Sequence, residues 1–95
     1  MALASAPRRE GRDDTIRLSG KKMSPEAIEQ YVNPLIQQRL ALRAAEGWEA
    51  DGATDAVSLW RQGRLACREH ASFWMDTCTY SVTSVTIRVR RIPKV

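Results

Sequence analysis
Four residues in the C-terminal half carry side chains that bind metals. Cys67, His70, Asp76 and Cys78 are spaced C-x2-H-x5-D-x-C. Zinc takes sulfur and nitrogen donors in a tetrahedron, and a hairpin would bring the two ends of this run together. The set is irregular and lacks a second Cys-x2-Cys half. The plainer reading is a pair of core or edge thiols, with His70 in a turn. Cys67 or Cys78 as a nucleophile, with His70 as its base, is a second chemistry. It needs hydrogen-bond proximity and a third orienting group, neither of which spacing supplies.

A basic strip follows. Arg88, Arg90 and Arg91 fall on the last stretch of strand pattern, with Lys94 just beyond. Arg88 and Arg90 share a face opposite Ile87 and Val89. The plain expectation is a solvated sheet face or edge, where charge discourages aggregation. The functional expectation is contact with phosphates or with an acidic protein. Aromatic residues interleaved with the strip would favour single strands, but only Tyr80 shares that face, and at a distance. Carboxylates pair at Asp13–Asp14 and across Asp51–Asp55, both in expected loops, so no acid–base role is assigned. There is no glycine-rich phosphate cradle, and nothing calls for a cofactor.

The elements that must position these residues start with Ser24–Trp48, SPEAIEQYVNPLIQQRLALRAAEGW. Ser24 is an N-cap, since its hydroxyl can accept from free amides of the first turn. Pro25 suits the first helical position. Glu26 and Glu29 complement the dipole. Ile28, Tyr31, Val32, Leu35, Ile36, Leu40 and Leu42 recur at helical spacing. Gly47 offers the left-handed residue that commonly ends a helix. Pro34 complicates this reading. It removes a hydrogen bond and disfavours helical angles at Asn33, which predicts a kink or a split into two helices.

Residues 1–14 offer little to bury and read as a disordered tail, leaving 15–95 as one domain. Thr15–Ser19 alternates and reads as a first strand. Trp48–Ala50 reads as a short strand, and Asp51–Gly52 as a turn. Asp55–Gln62 reads as a short helix capped by Thr54 or Asp55 and stopped at Gly63. Arg64–Ile92 lacks Gly, Pro and Asn and is rich in β-branched and aromatic residues. His70–Ser72 reads as a weak turn. Tyr80 and Val82 are apolar at even positions, Val85, Ile87 and Val89 at odd ones. That change of phase predicts a bend, bulge or turn near Thr83–Ser84.

Ninety-five residues carry a net charge of +4 and 43% apolar content. This suits one small globular domain. All but Lys21, Lys22 and Lys94 of the fifteen basic residues are arginine, the residue whose planar fork fits carboxylate and phosphate. Two cysteines do not make a disulfide scaffold. No secretory signal or membrane span is legible. The expectation is a soluble cytoplasmic protein with reduced thiols.

Arg43–Ala44–Ala45–Glu46–Gly47–Trp48–Glu49, leaving a helix and entering a strand, resembles the Glu-Gly-Trp-Glu core of the DUF4177-like small bacterial domains of unknown function. The resemblance implies a compact β-α-β-β unit with a basic strand near the end. It implies no reaction and no catalytic residue. This chain departs from it by its helical proline, the inserted Asp55–Gly63 segment and a longer β-region.

The expected fold is therefore α+β, one long helix on a small antiparallel sheet. The expected core is Ile16, Leu18, Ile28, Val32, Leu35, Ile36, Leu40, Trp48, Trp60, Leu65, Val85, Ile87 and Val89. The expected function is a non-enzymatic protein-interaction or structural module that associates with itself or another protein. The alternative is a nucleic-acid-binding module using the basic strip.

Overall fold
Ser24 starts the helix as its residue type predicts. In a computed structural model describing residues 10–72 and 77–93, its hydroxyl accepts from the Ala27 amide at 3.2 Å. The helix α1 spans Pro25–Ala45. It buries Ile28, Val32 and Ile36, four residues apart, along one stripe. Gly47 closes it at φ 89°, and its amide donates to the Ala44 carbonyl.

The helix runs through Pro34 without a break, which excludes the split and leaves the single long helix of the two expected outcomes. The proline ring is on the exposed side, while Val32 and Ile36 on either side of it are fully buried. Packing of that stripe outweighs one missing amide donor. Asn33 starts no second helix. Its side-chain oxygen accepts from the Ala56 amide at 2.8 Å, which anchors α2 (Ala56–Arg61) to α1. Asp55 caps α2 by accepting from the Ser58 amide at 2.9 Å.

Every strand pairs antiparallel with one partner, β5 (Thr77–Arg91). β1 (Gly11–Arg17) and β2 (Lys22–Met23) share one of its edges. β3 (Trp48–Ala50) and β4 (Leu65–Ser72) share the other. Val85 pairs with both Ile16 and Leu65, so β1 and β4 must lie on opposite sides of it. α1 and α2 cover one face of the sheet. Ile16, Trp48, Leu65, Val82, Val85, Ile87 and Val89 meet Ile28, Val32, Ile36, Ala56 and Leu59 there.

The expected phase change is a bulge. Ala66 opposes Ser84 and Cys67 opposes Val82, leaving Thr83 as the extra residue. Its carbonyl accepts from the Leu18 amide at 2.8 Å, and its hydroxyl donates to the Ala66 carbonyl at 3.2 Å. The bulge lets Val82 and Val85 both face the helices.

Three expectations are corrected. β1 begins at Gly11, so 11–14, assigned above to the tail, belong to the sheet; the first nine residues lie outside the described ones. His70–Ser72 is no turn but the end of β4, because its pairing with β5 continues through Ser72. Trp60, expected in the core, is 37% exposed, while its neighbour Leu59 takes the interior place at 1%. Leu18, Leu35 and Leu40 are only partly buried.

Candidate functional site
Strand alternation decides the metal and nucleophile readings. On the helix-covered side, Cys67 sits opposite Val82 and Cys78 opposite Ala71. His70, one residue out of phase with both, projects from the other face, where its Nε2 is 2.8 Å from the Ser81 hydroxyl. The two cysteines are four rungs apart, roughly 13 Å at strand spacing. Asp76 lies outside the described residues. Cys67, His70 and Cys78 therefore do not converge, and no group of three or more metal-binding side chains occurs among the described residues.

The thiols are also unsuited to nucleophilic work. Burial, then the Glu69 charge, pushes the Cys67 thiol above its ordinary value. Cys78 donates to Glu69 Oε1 at 3.2 Å, and that bond holds its thiol up as well. Reactive cysteines sit in the opposite, electropositive kind of environment.

The basic strip exists, but its charge is neutralised within the chain. Arg88 lies 3.6 Å from Asp13 and 3.5 Å from Asp51. Arg90 pairs with Glu49 at 3.1 Å and Asp51 at 3.7 Å. Both are on the face away from the helices. Arg91 is on the helix side, 3.4 Å from Glu10. Its guanidinium stacks 4.1 Å from the Trp48 ring centre, and that of Arg12 at 4.2 Å. Both cations lie within reach of the ring's π-face, so the largely buried indole is a cation–π partner for two strands at once. Lys94 lies outside the described residues. What sequence reasoning missed is the acidic complement: Glu10 and Asp13 were assigned to the tail, and only the pairing of Gly11–Arg17 with β5 brings them to the arginines.

A buried carboxylate was missed for the same reason. Asp14, 7% exposed, accepts from Arg39 Nη1 at 2.8 Å and Arg43 Nε at 2.7 Å. Burial by itself raises its pKa; the hydrogen bond from Arg43 and the Arg39 charge outweigh that and bring it below the ordinary 3.8. The cluster ties strand to helix, with both carboxylate oxygens held by arginines.

The described surface also carries an open apolar groove of about 190 Å³ between the start of α1 and α2. Pro25, Val57, Trp60 and Tyr80 form its walls, with Glu29 and Arg61 on its rim. Trp60 and Tyr80 meet edge to face, 4.7 Å between centres at 87°. Val57 is 39% exposed. α2 puts Leu59 inward, and the helical turn then sends Val57 and Trp60 outward.

No helix among the described residues is long and apolar enough to cross a membrane. Comparison of the chain with protein-family models, with curated proteins and with solved structures returns no match.

Proposed function
We propose that this chain is a small non-enzymatic interaction module that pairs with a second copy of itself through the groove beside Trp60. The supporting observation is Trp60, a large aromatic residue 37% exposed on an apolar wall. Exposed aromatic anchors are what interfaces use. The rim favours a copy of the same chain as occupant. Glu29 and Arg61 flank the groove, and neither is ion-paired among the described residues. A two-fold interface sets each patch against itself, so the Arg61 of one copy meets the Glu29 of the other. Cytoplasmic placement, with Cys67 and Cys78 kept as thiols, belongs to this proposal. So does kinship with the DUF4177-like domains, whose helix-to-strand junction corresponds to Arg43–Glu49.

Sedimentation equilibrium tests this reading. A concentration-dependent dimer is expected, converted to monomer by Trp60→Glu. Glu29→Arg weakens it, and adding Arg61→Glu to that variant restores it. A wild-type monomer at the highest soluble concentration would overturn the reading, as would a dimer indifferent to Trp60→Glu.

A further inference from the structure
The sheet face turned away from the helices is electrostatically divided. At the Arg88–Arg90 end every arginine meets a carboxylate. Toward the β4–β5 hairpin the cations have none among the described residues. Lys22 and Arg68 both oppose Ser81, from the two edges of β5. The three residues therefore stand abreast on one face, the cations rising from backbones roughly 10 Å apart. Three residues further along, Arg17 stands abreast of Ser84. Arg17, Lys22 and Arg68 are exposed, and no ion pair to any of them occurs among the described residues. Lys21 adds a fourth cation. From Thr15 to Met23 and from Thr77 to Ile87 the sequence has no Asp or Glu. Glu69, the nearby acid on β4, projects from the helix side, where it accepts from Cys78. Among the described residues nothing packs on this face.

We infer that this face binds the phosphate backbone of a nucleic acid, with Arg17, Lys22 and Arg68 as the contacts and Ser81 and Ser84 as hydroxyl donors between them. The site is distinct from the groove beside Trp60, on the opposite side of the sheet. Unpaired cations on a flat surface release counterions when they neutralise phosphates, and that supplies binding without reading sequence. A protein partner would need an apolar centre to its interface. Around Ser81 and Ser84 this face carries hydroxyls, an imidazole and cations, with the methyl of Ala66 its one apolar side chain among the described residues. It also lacks aromatic rings on which bases could stack. Backbone contact to a duplex is thus the mode that fits.

Fluorescence anisotropy with a labelled duplex DNA of mixed sequence, titrated against salt, tests this. Three phosphate contacts predict a log–log slope near −2.7, so affinity falls about 40-fold between roughly 50 and 200 mM salt. The variant Arg17→Ala/Lys22→Ala/Arg68→Ala is expected to bind about tenfold more weakly or worse at low salt, with the slope close to zero. Ser81→Asp, which sets a carboxylate between two of the cations, is expected to lose comparable affinity without truncating them. Unchanged circular dichroism certifies the fold of both. Arg88→Ala/Arg90→Ala is expected to stay within about twofold of wild type, since those charges are already neutralised. No binding at low salt overturns the inference. So does a triple variant that binds like wild type, a loss centred on Arg88 and Arg90, or poly-glutamate bound as tightly as the duplex.

Discussion
Asp14 Oδ2 accepts a 2.7 Å hydrogen bond from Arg43 Nε, across 29 residues of chain, and so clamps β1 to the last turn of α1. Arg39 holds the other oxygen at 2.8 Å. Asp14 is the one buried charged side chain among the described residues. Removing one member of such a set leaves its partners unsatisfied. Asp14→Ala is expected to lower unfolding free energy by about 2 kcal/mol, the loss being moderated because both arginines retain access to water. Urea denaturation with an unchanged m-value measures it; a loss near zero would mean the clamp is ornamental.

The same carboxylate makes stability pH-dependent. Its folded pKa is below 3.8, so the unfolded chain binds more protons as the solution acidifies. The stabilisation is complete above the unfolded value and is lost as pH falls through the folded one. Asp55, held down chiefly by the Ser58 amide, acts in the same direction. Urea midpoints are expected to be flat from neutral pH down to about 5 and to drop below about 4. Asp14→Asn/Asp55→Asn should lower the plateau and flatten the acid limb. A limb of unchanged steepness in that variant would assign the effect to other groups.

Thr83 carries the register of the distal sheet. Deleting it moves Val82 and Tyr80 to the solvent face while Val85, Ile87 and Val89 stay inside. The deletion is expected to abolish cooperative unfolding. Thr83→Ala, which loses only the hydroxyl bond to Ala66, should cost under about 1 kcal/mol. Near-equal effects from the two changes would show that the extra residue does not set the register.

Cys78 offers a local probe. Its hydrogen bond to Glu69 favours the protonated thiol, and the thiolate is the reactive form. Alkylation by iodoacetamide near pH 8, followed residue by residue by mass spectrometry, should be slower than for a free thiol. Glu69→Gln should speed it several-fold at Cys78, and less at Cys67, where burial is the larger cause. An unaltered Cys78 rate would remove Glu69 from the account.

What the sequence revealed was local or periodic. Ser24, Pro25 and Gly47 mark the helix through short-range chemistry, and the shift from Val82 to Val85 marks the bulge through period alone. What it concealed was long-range. Asp13 and Asp14 look like tail residues until Arg64, Arg39 and Arg43 are brought to them across the fold. Pro34 was over-weighted because its penalty is local, whereas the burial of Val32 and Ile36 that outweighs it is tertiary. Trp60 was placed inside on hydrophobicity, yet a six-residue helix has only one inward stripe, and Ala56 and Leu59 occupy it. The strip at Arg88 and Arg90 was visible; the acids opposite it were not. The cations that remain unpaired, Arg17, Lys22 and Arg68, lie on three strands and become neighbours only through pairing with β5.

That shared partner has a bearing on biosynthesis. Each of the four shorter strands is translated before the one ribbon that can zip to it, and none of them pairs with another. A nascent chain stalled ahead of Thr77 therefore has a helix with no sheet to lie on and open edges awaiting completion, the condition in which chaperones engage. Emergence of β5 closes every rung of the ladder late, and largely at once.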